Sequence, residues 1–270
     1  MKHVVSFSDP RHGLPREIPL WLYRPAGFSP VSPVVIVMHG MSRNASAYLD
    51  AWMPYADQHG FAVAAPEFPK AHYPDARDYN FGNMLSPEGR LLSREQWLFP
   101  VIDRIFDHVR AALGSRRETY CLYGHSAGGQ FVHRLVTFAW SPRIELAITA
   151  NAGSYTLPVF EVAYPFGLAG TAFTEADFAG LFSRPLLILL GEQDNDAHHH
   201  HLPRQPEAMR QGAHRLARGR NYMEAATRAA HERRMVLAWR LDVVPGVTHS
   251  NPGMAAVAAR FCAEAQGPIR

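Results

Sequence analysis

Cysteine and lysine are nearly missing from this chain. Its 270 residues include two cysteines, Cys121 and Cys262, which form no disulfide framework and no CxxC metal pattern, so both read as buried free thiols. The only lysines are Lys2 and Lys70; the positive charge is carried by scattered arginines, and the formal charge of +3 comes without a run of like charge. That excludes a dedicated nucleic-acid surface, and no nucleic-acid partner is expected. Long apolar runs are absent too: nothing approaches the roughly 20 residues of a membrane span. Met1 to Leu20 carries Asp9, Pro10, Arg11 and Pro15 where a signal peptide would need an apolar core. The expectation is a soluble, cytoplasmic protein, although an exported form with its signal removed would read the same. There is no internal repeat, low-complexity tail or linker, so residues 1–270 are expected to form one domain, and 47% hydrophobic content supplies a substantial core.

What is present alternates. Val4–Phe7 and Ile18–Tyr23 are β-prone runs around the turn-rich Asp9-Pro10-Arg11-His12-Gly13, which predicts an antiparallel opening pair at a sheet edge. Val34–Met38 is a β-branched run of the kind buried on both faces of a parallel sheet. A helix is predicted over Ala45–His59 with a kink or break at Pro54, then a strand over Phe61–Pro66. Leu98, Ile102, Ile105, Val109 and Ala112 mark an amphipathic helix ending at Gly114. Further strands are predicted before Ser126, at Ile144–Ala150, at Pro185–Leu190 and at Leu237–Val244, with helices over Pro206–His231 and Met254–Ala265. Residues 154–183 depart from the alternation, and their aromatics suit either a small cap insertion or a plain connecting helix. The pattern predicts an α/β fold, a mostly parallel central sheet with helices on both faces, and chemistry at the strands' carboxyl ends.

The chemistry is concentrated at Gly124-His125-Ser126-Ala127-Gly128, a GxSxG sequence between an apolar strand and a helical pattern. Such a serine occupies a sharp strand-to-helix turn, with the helix amino terminus aimed at the site of a developing oxyanion. A serine hydroxyl needs an imidazole to take its proton and a carboxylate to hold that imidazole in the right tautomer. Ser126, then a carboxylate after the Leu-rich strand, then His249 after the last strand follow the nucleophile, acid, base order. Both Asp194 and Asp196 follow Gly191, and Asp194 is favoured because it lies nearer the strand that fixes its position. The Met41 and Ala127 amides are the predicted oxyanion donors, and His39 is a structural hydrogen-bonder bracing the Gly40–Met41 turn. No metal or other cofactor is needed for this chemistry. The adjacent histidines His198-His199-His200-His201 could hold a transition metal but read better as a solvated loop, because neighbours in an extended segment point to opposite sides.

On these residues the chain resembles the serine hydrolases of the α/β-hydrolase superfamily over nearly its full length. Ile36-Val37-Met38-His39-Gly40-Met41-Ser42-Arg43-Asn44-Ala45, together with Gly-His-Ser-Ala-Gly, is similar to the poly(3-hydroxybutyrate) depolymerase-like and feruloyl-esterase-like carboxylesterases. The resemblance implies an esterase working through an acyl-enzyme intermediate on a small-molecule ester. Polymer-degrading members often carry a separate substrate-binding domain and disulfides, for which this chain has no room. Peptidase, amidase and polyester depolymerase activities share the same triad, and a non-catalytic ligand-binding protein is the alternative of a different kind. The long Glu67–Gly89 connection, rich in Pro, Gly, Asn and Tyr, together with the aromatic stretch after Ser154, predicts Tyr79, Asn80 and Tyr155 as substrate-binding walls.

Overall fold

The computed structural model describes residues 1–8 and 17–267. Its centre is an eight-stranded sheet of order β1-β2-β4-β3-β5-β6-β7-β8. The edge is the opening pair: β1 (Lys2–Ser8) runs antiparallel to β2 (Glu17–Tyr23), and β2 runs antiparallel to β4 (Ala62–Pro66). The turn expected at Asp9–Gly13 lies outside the described residues. From β4 onward every pairing is parallel, through β3 (Val34–Met38), β5 (Tyr120–His125), β6 (Ile144–Ala150), β7 (Leu186–Gly191) and β8 (Arg240–Val244).

The two-residue period of a strand explains how this sheet is covered. In β3, Val34, Ile36 and Met38 face a core with the helices α2 (Val101–Leu113), α3 (Ala127–Phe138) and α6 (Arg215–Glu232), while Val35 and Val37 face α1 (Ala45–His59) and α7 (Asn251–Gln266). A strand buried on both sides has no place for a polar residue, which is why its sequence reads as a continuous apolar run.

Several boundaries differ from the sequence expectation. Pro54 neither breaks nor ends α1; Pro54 and Asp50, whose carbonyl loses its helical donor, both lie on the exposed side, so the lost bond does not fall in the core. The helix expected over Pro206–His231 is two, α5 (Pro206–Arg210) and α6. Gly212 takes φ +143°, outside the helical range, and His214 restarts the helix by accepting the Ala217 N–H at 3.3 Å. β8 begins at Arg240 rather than Leu237, because the preceding residues bond elsewhere: the Ala238 amide donates to Phe182 O at 2.8 Å and the Trp239 indole to Leu181 O at 3.2 Å. Residues 154–183 form an irregular run closed by the short helix α4 (Asp177–Ser183). Arg134 of α3 ties that run to the core, its Nε donating to Thr156 Oγ1 at 3.1 Å and its Nη2 to Pro165 O at 3.2 Å, while Nη1 donates to Asn80 O at 3.2 Å in the other long loop.

Candidate active site

Ser126 stands between β5 and α3 with φ 59° and ψ −115°, a region that non-glycine residues enter only when the surroundings over-determine them. Two contacts do so. A Cβ on Gly124 would sit 2.2 Å from Gly128 O, and one on Gly128 would sit 2.2 Å from Met38 O, so only glycines let α3 pass this close to β5 and β3. The Ser126 amide meanwhile donates to Ala150 O at 2.9 Å, and Ser126 O accepts from Gln130 N at 3.0 Å.

Asp194 and His249 are delivered by loops that are sewn to each other. Glu192 N donates to Val244 O at 3.0 Å and Gln193 N to Val247 O at 2.9 Å. A Cβ on Gly191 would lie 2.5 Å from Val247 O, so the close approach depends on that glycine. Asn151, at φ 47° past the end of β6, accepts the Gly191 N–H at 2.8 Å and donates to Thr248 O at 3.4 Å, bonding to both loops. Ser250 caps α7 by accepting the Gly253 N–H at 3.2 Å, which fixes the turn just beyond His249.

The outcome is a continuous chain of contacts. Ser126 Oγ lies 3.0 Å from His249 Nε2, and His249 Nδ1 lies 2.7 Å from Asp194 Oδ2. The carboxylate can only accept, so Nδ1 carries the ring proton and Nε2 is left to receive the serine's. Of the two aspartates it is Asp194, 3% exposed, that meets the imidazole. Asp196 is exposed and accepts the His198 N–H at 2.7 Å.

The loop after β3 reaches the same point. A Cβ on Gly40 would lie 3.7 Å from Ser126 Cβ. The neighbouring Met41 amide and the Ala127 amide at the head of α3 donate to no protein acceptor among the described residues. Behind them His39 is fully buried, its Nδ1–H donating to Gly40 O at 2.9 Å and its Nε2 accepting from Phe68 N at 3.0 Å; burial pushes it down to about 3, so it stays neutral and braces the loop. His125 packs its ring 4.6 Å from that of His249, and burial above all, then the positive charge available to His249 and Arg215, holds it well below the usual histidine range. A neutral neighbour adds no charge against a His249 imidazolium.

The three expected wall residues are not on a wall. Tyr79 and Tyr155 are fully buried and Asn80 is 2% exposed. The Tyr79 hydroxyl donates to His39 O at 2.7 Å, with the Arg43 guanidinium 4.2 Å from its ring centre; Tyr155 stacks on Tyr222 at 4.5 Å; Asn80 Nδ2 donates to Gln130 Oε1 at 3.1 Å. An aromatic-rich loop buries its rings where it can, and here they support the site from below. Sequence reasoning also passed over Asn151, His125 and Arg215. The histidine run divides: His198, His200 and His201 are exposed, whereas His199 turns its ring to within 5.2 Å of the His249 ring centre. Among the described residues no group of His, Cys, Asp or Glu is arranged to hold a metal ion, and no helix is long and apolar enough to cross a membrane. Surface cavities of about 660 and 440 Å³ lie along α6, lined by residues such as Met223, Leu241 and Phe160, away from Ser126.

No protein-family model matches the chain, and no curated protein matches it. Among solved structures it is similar to poly(aspartic acid) hydrolase-1 from Sphingomonas sp. KT-1, with 40% identity over 97% of this chain and 98% of that one and a TM-score of 0.91. It is similar also to the poly(3-hydroxybutyrate) depolymerase from Bordetella parapertussis, with 38% identity over 100% of this chain and 91% of that one and a TM-score of 0.93. An S-formylglutathione hydrolase from Agrobacterium tumefaciens, 14% identical over 99% and 96% of the two chains at a TM-score of 0.63, shares the fold.

Proposed function

The chain belongs to the serine-esterase-like family of α/β-hydrolases, and from that premise we propose that it cleaves carboxylic esters through an acyl-enzyme intermediate on Ser126. His249 Nε2 removes the Ser126 proton as Oγ attacks the ester carbonyl carbon. The negative charge that develops on the carbonyl oxygen is received by the Met41 and Ala127 amides; in a serine protease, removing one oxyanion donor costs about 10²–10³ in rate. Collapse of the tetrahedral intermediate expels the alkoxide, which takes the proton from His249. Water then repeats the sequence and releases the acid. Asp194 holds the tautomer and faces the imidazolium throughout. No step calls on a cofactor. The observation that carries this reading is the unbroken run of contacts from Ser126 Oγ through the His249 ring to Asp194 Oδ2, at 3.0 and 2.7 Å. A panel of p-nitrophenyl esters against matching anilides, with wild type beside Ser126→Ala, tests it: esters turned over by wild type alone support it, and turnover by the variant defeats it.

A second reading, hydrolysis of an anionic polymer, is favoured by positive charge beyond Asp194. The exposed Arg204 follows the histidine run, and the exposed Lys70, from the loop after β4, faces His201. The expectation of a small ester rested on the missing second domain. Yet the two relatives named for polymer hydrolysis are covered over 98% and 91% of their own lengths, so that absence carries no weight. Oligomer release from poly(aspartic acid) and from poly(3-hydroxybutyrate) separates the readings, because steering of a polyanion weakens as salt rises.

A further inference from the structure

Asp194 has a second partner. Arg215, the first residue of α6 and 1% exposed, places Nη1 3.5 Å from Asp194 Oδ1, the oxygen that His249 leaves free. Its Nη2 donates to His199 Nδ1 at 3.3 Å, and the next residue's amide, Leu216 N, donates to Asp194 O at 3.1 Å. The first turn of α6 therefore grips the aspartate by backbone and side chain, and it holds the His199 ring edge-on to His249. Burying a guanidinium carries a large solvation penalty. Aliphatic packing could fill the volume at no such cost.

We propose that Arg215 is a positioning residue for the Ser126–His249–Asp194 chain: it holds the carboxylate in the rotamer that presents Oδ2 to His249, and its charge offsets part of the carboxylate's pull on the imidazole proton. The inference rests on the acyl-enzyme reading above. The groups facing His249 are Asp194 after β7, His125 at the end of β5, and His199 and His201 beyond Asp194; Arg215 on α6 faces Asp194, Asp196 and these three histidines, and Lys70 faces His201. His125 is kept neutral chiefly by burial, and desolvation leads the causes that hold His199 and His201 below the ordinary histidine value. The two ionic groups in this chain of contacts are Asp194, which meets the imidazole at 2.7 Å, and Arg215, which meets the other carboxylate oxygen at 3.5 Å. The carboxylate favours the imidazolium and the guanidinium disfavours it. Removing the guanidinium leaves the carboxylate unopposed, so the free-base imidazole forms only at higher pH.

The test is the rate of Ser126 labelling by a fluorophosphonate from about pH 5 to 9, bracketing histidine titration, in wild type, Arg215→Lys and Arg215→Met. Arg215→Lys should keep the acid limb in place. Arg215→Met should move it to higher pH by at least about half a unit and lower the plateau about tenfold. A uniform loss in Arg215→Met with an unmoved limb would make the arginine a structural prop and overturn the proposal, as would a limb that moves equally in the Lys variant. If Arg215→Met does not fold, Arg215→Gln, which keeps donors without charge, carries the same comparison. Failure of both neutral variants to fold beside a folded Lys variant would also overturn it. An unlabelled wild type would instead defeat the acyl-enzyme reading, so the two failures are distinct.

Discussion

Gln193 N donates to Val247 O at 2.9 Å, which makes the loop carrying Asp194 and the loop carrying His249 one hydrogen-bonded unit at the carboxyl end of β7 and β8. The acid and the base are held together by main chain before their side chains meet.

The weak point of that unit is Gly191, where an added methyl would lie 2.5 Å from Val247 O. Gly191→Ala is expected to push the two loops apart, costing about 1–3 kcal/mol of stability by overpacking. Ester turnover should fall by more than that instability explains. Urea unfolding and kinetics on the folded fraction separate the two effects, and an unchanged turnover would mean that the loops tolerate separation.

The two carboxylates after β7 should differ sharply. Asp194→Asn leaves His249 in the wrong tautomer and is expected to lose at least about a hundredfold in turnover, since the same substitution in a serine-protease triad costs on the order of 10⁴. Asp196→Asn, altering an exposed side chain that accepts the His198 amide and makes no contact with His249, should lose far less. The reverse ranking, with both variants folded by circular dichroism, would move the acid by two residues.

Tyr79→Ala and Tyr155→Ala are expected to act on stability and not on selectivity. Each removes a fully buried ring, and large aromatic truncations in cores cost about 3–5 kcal/mol. Denaturation midpoints should drop while the ester chain-length profile of folded protein stays put. A changed profile at unchanged stability would return these rings to the pocket wall.

Acid should destabilise the fold through its buried neutral histidines. His39 is pushed down to about 3, and burial likewise holds His125 and His133 well below the usual value. Below about pH 6.5 the unfolded chain takes up protons that these native sites refuse, so stability falls with pH through the interval down to about 3. Melting temperature against pH should show that decline, and His39→Gln should flatten it. An equal slope in the variant would assign the decline to other groups.

Much of this was legible in the sequence, for local reasons. The Ser126 turn follows from its flanking glycines, and the buried strands follow from apolar runs that admit no polar residue. Asp194 could be found because it closely follows such a strand, β7, and His249 because it lies in the loop after the last strand, β8. Arg215 could not: it lies 21 residues beyond the aspartate it meets, on a helix whose start depends on the Gly212 break. Asn151 was missed because its bonds run to loops distant in sequence. The burial of Tyr79 and Tyr155 is not legible in the sequence, because composition distinguishes an aromatic loop from a polar one but not a ring that faces in from one that faces out.

Intact-mass analysis after fluorophosphonate treatment tests most directly whether Ser126 is the nucleophile. Wild type should gain a single adduct, mapped by peptide sequencing to Ser126, and folded Ser126→Ala should gain none. An adduct on another residue, or ester hydrolysis persisting in Ser126→Ala, would contradict the account.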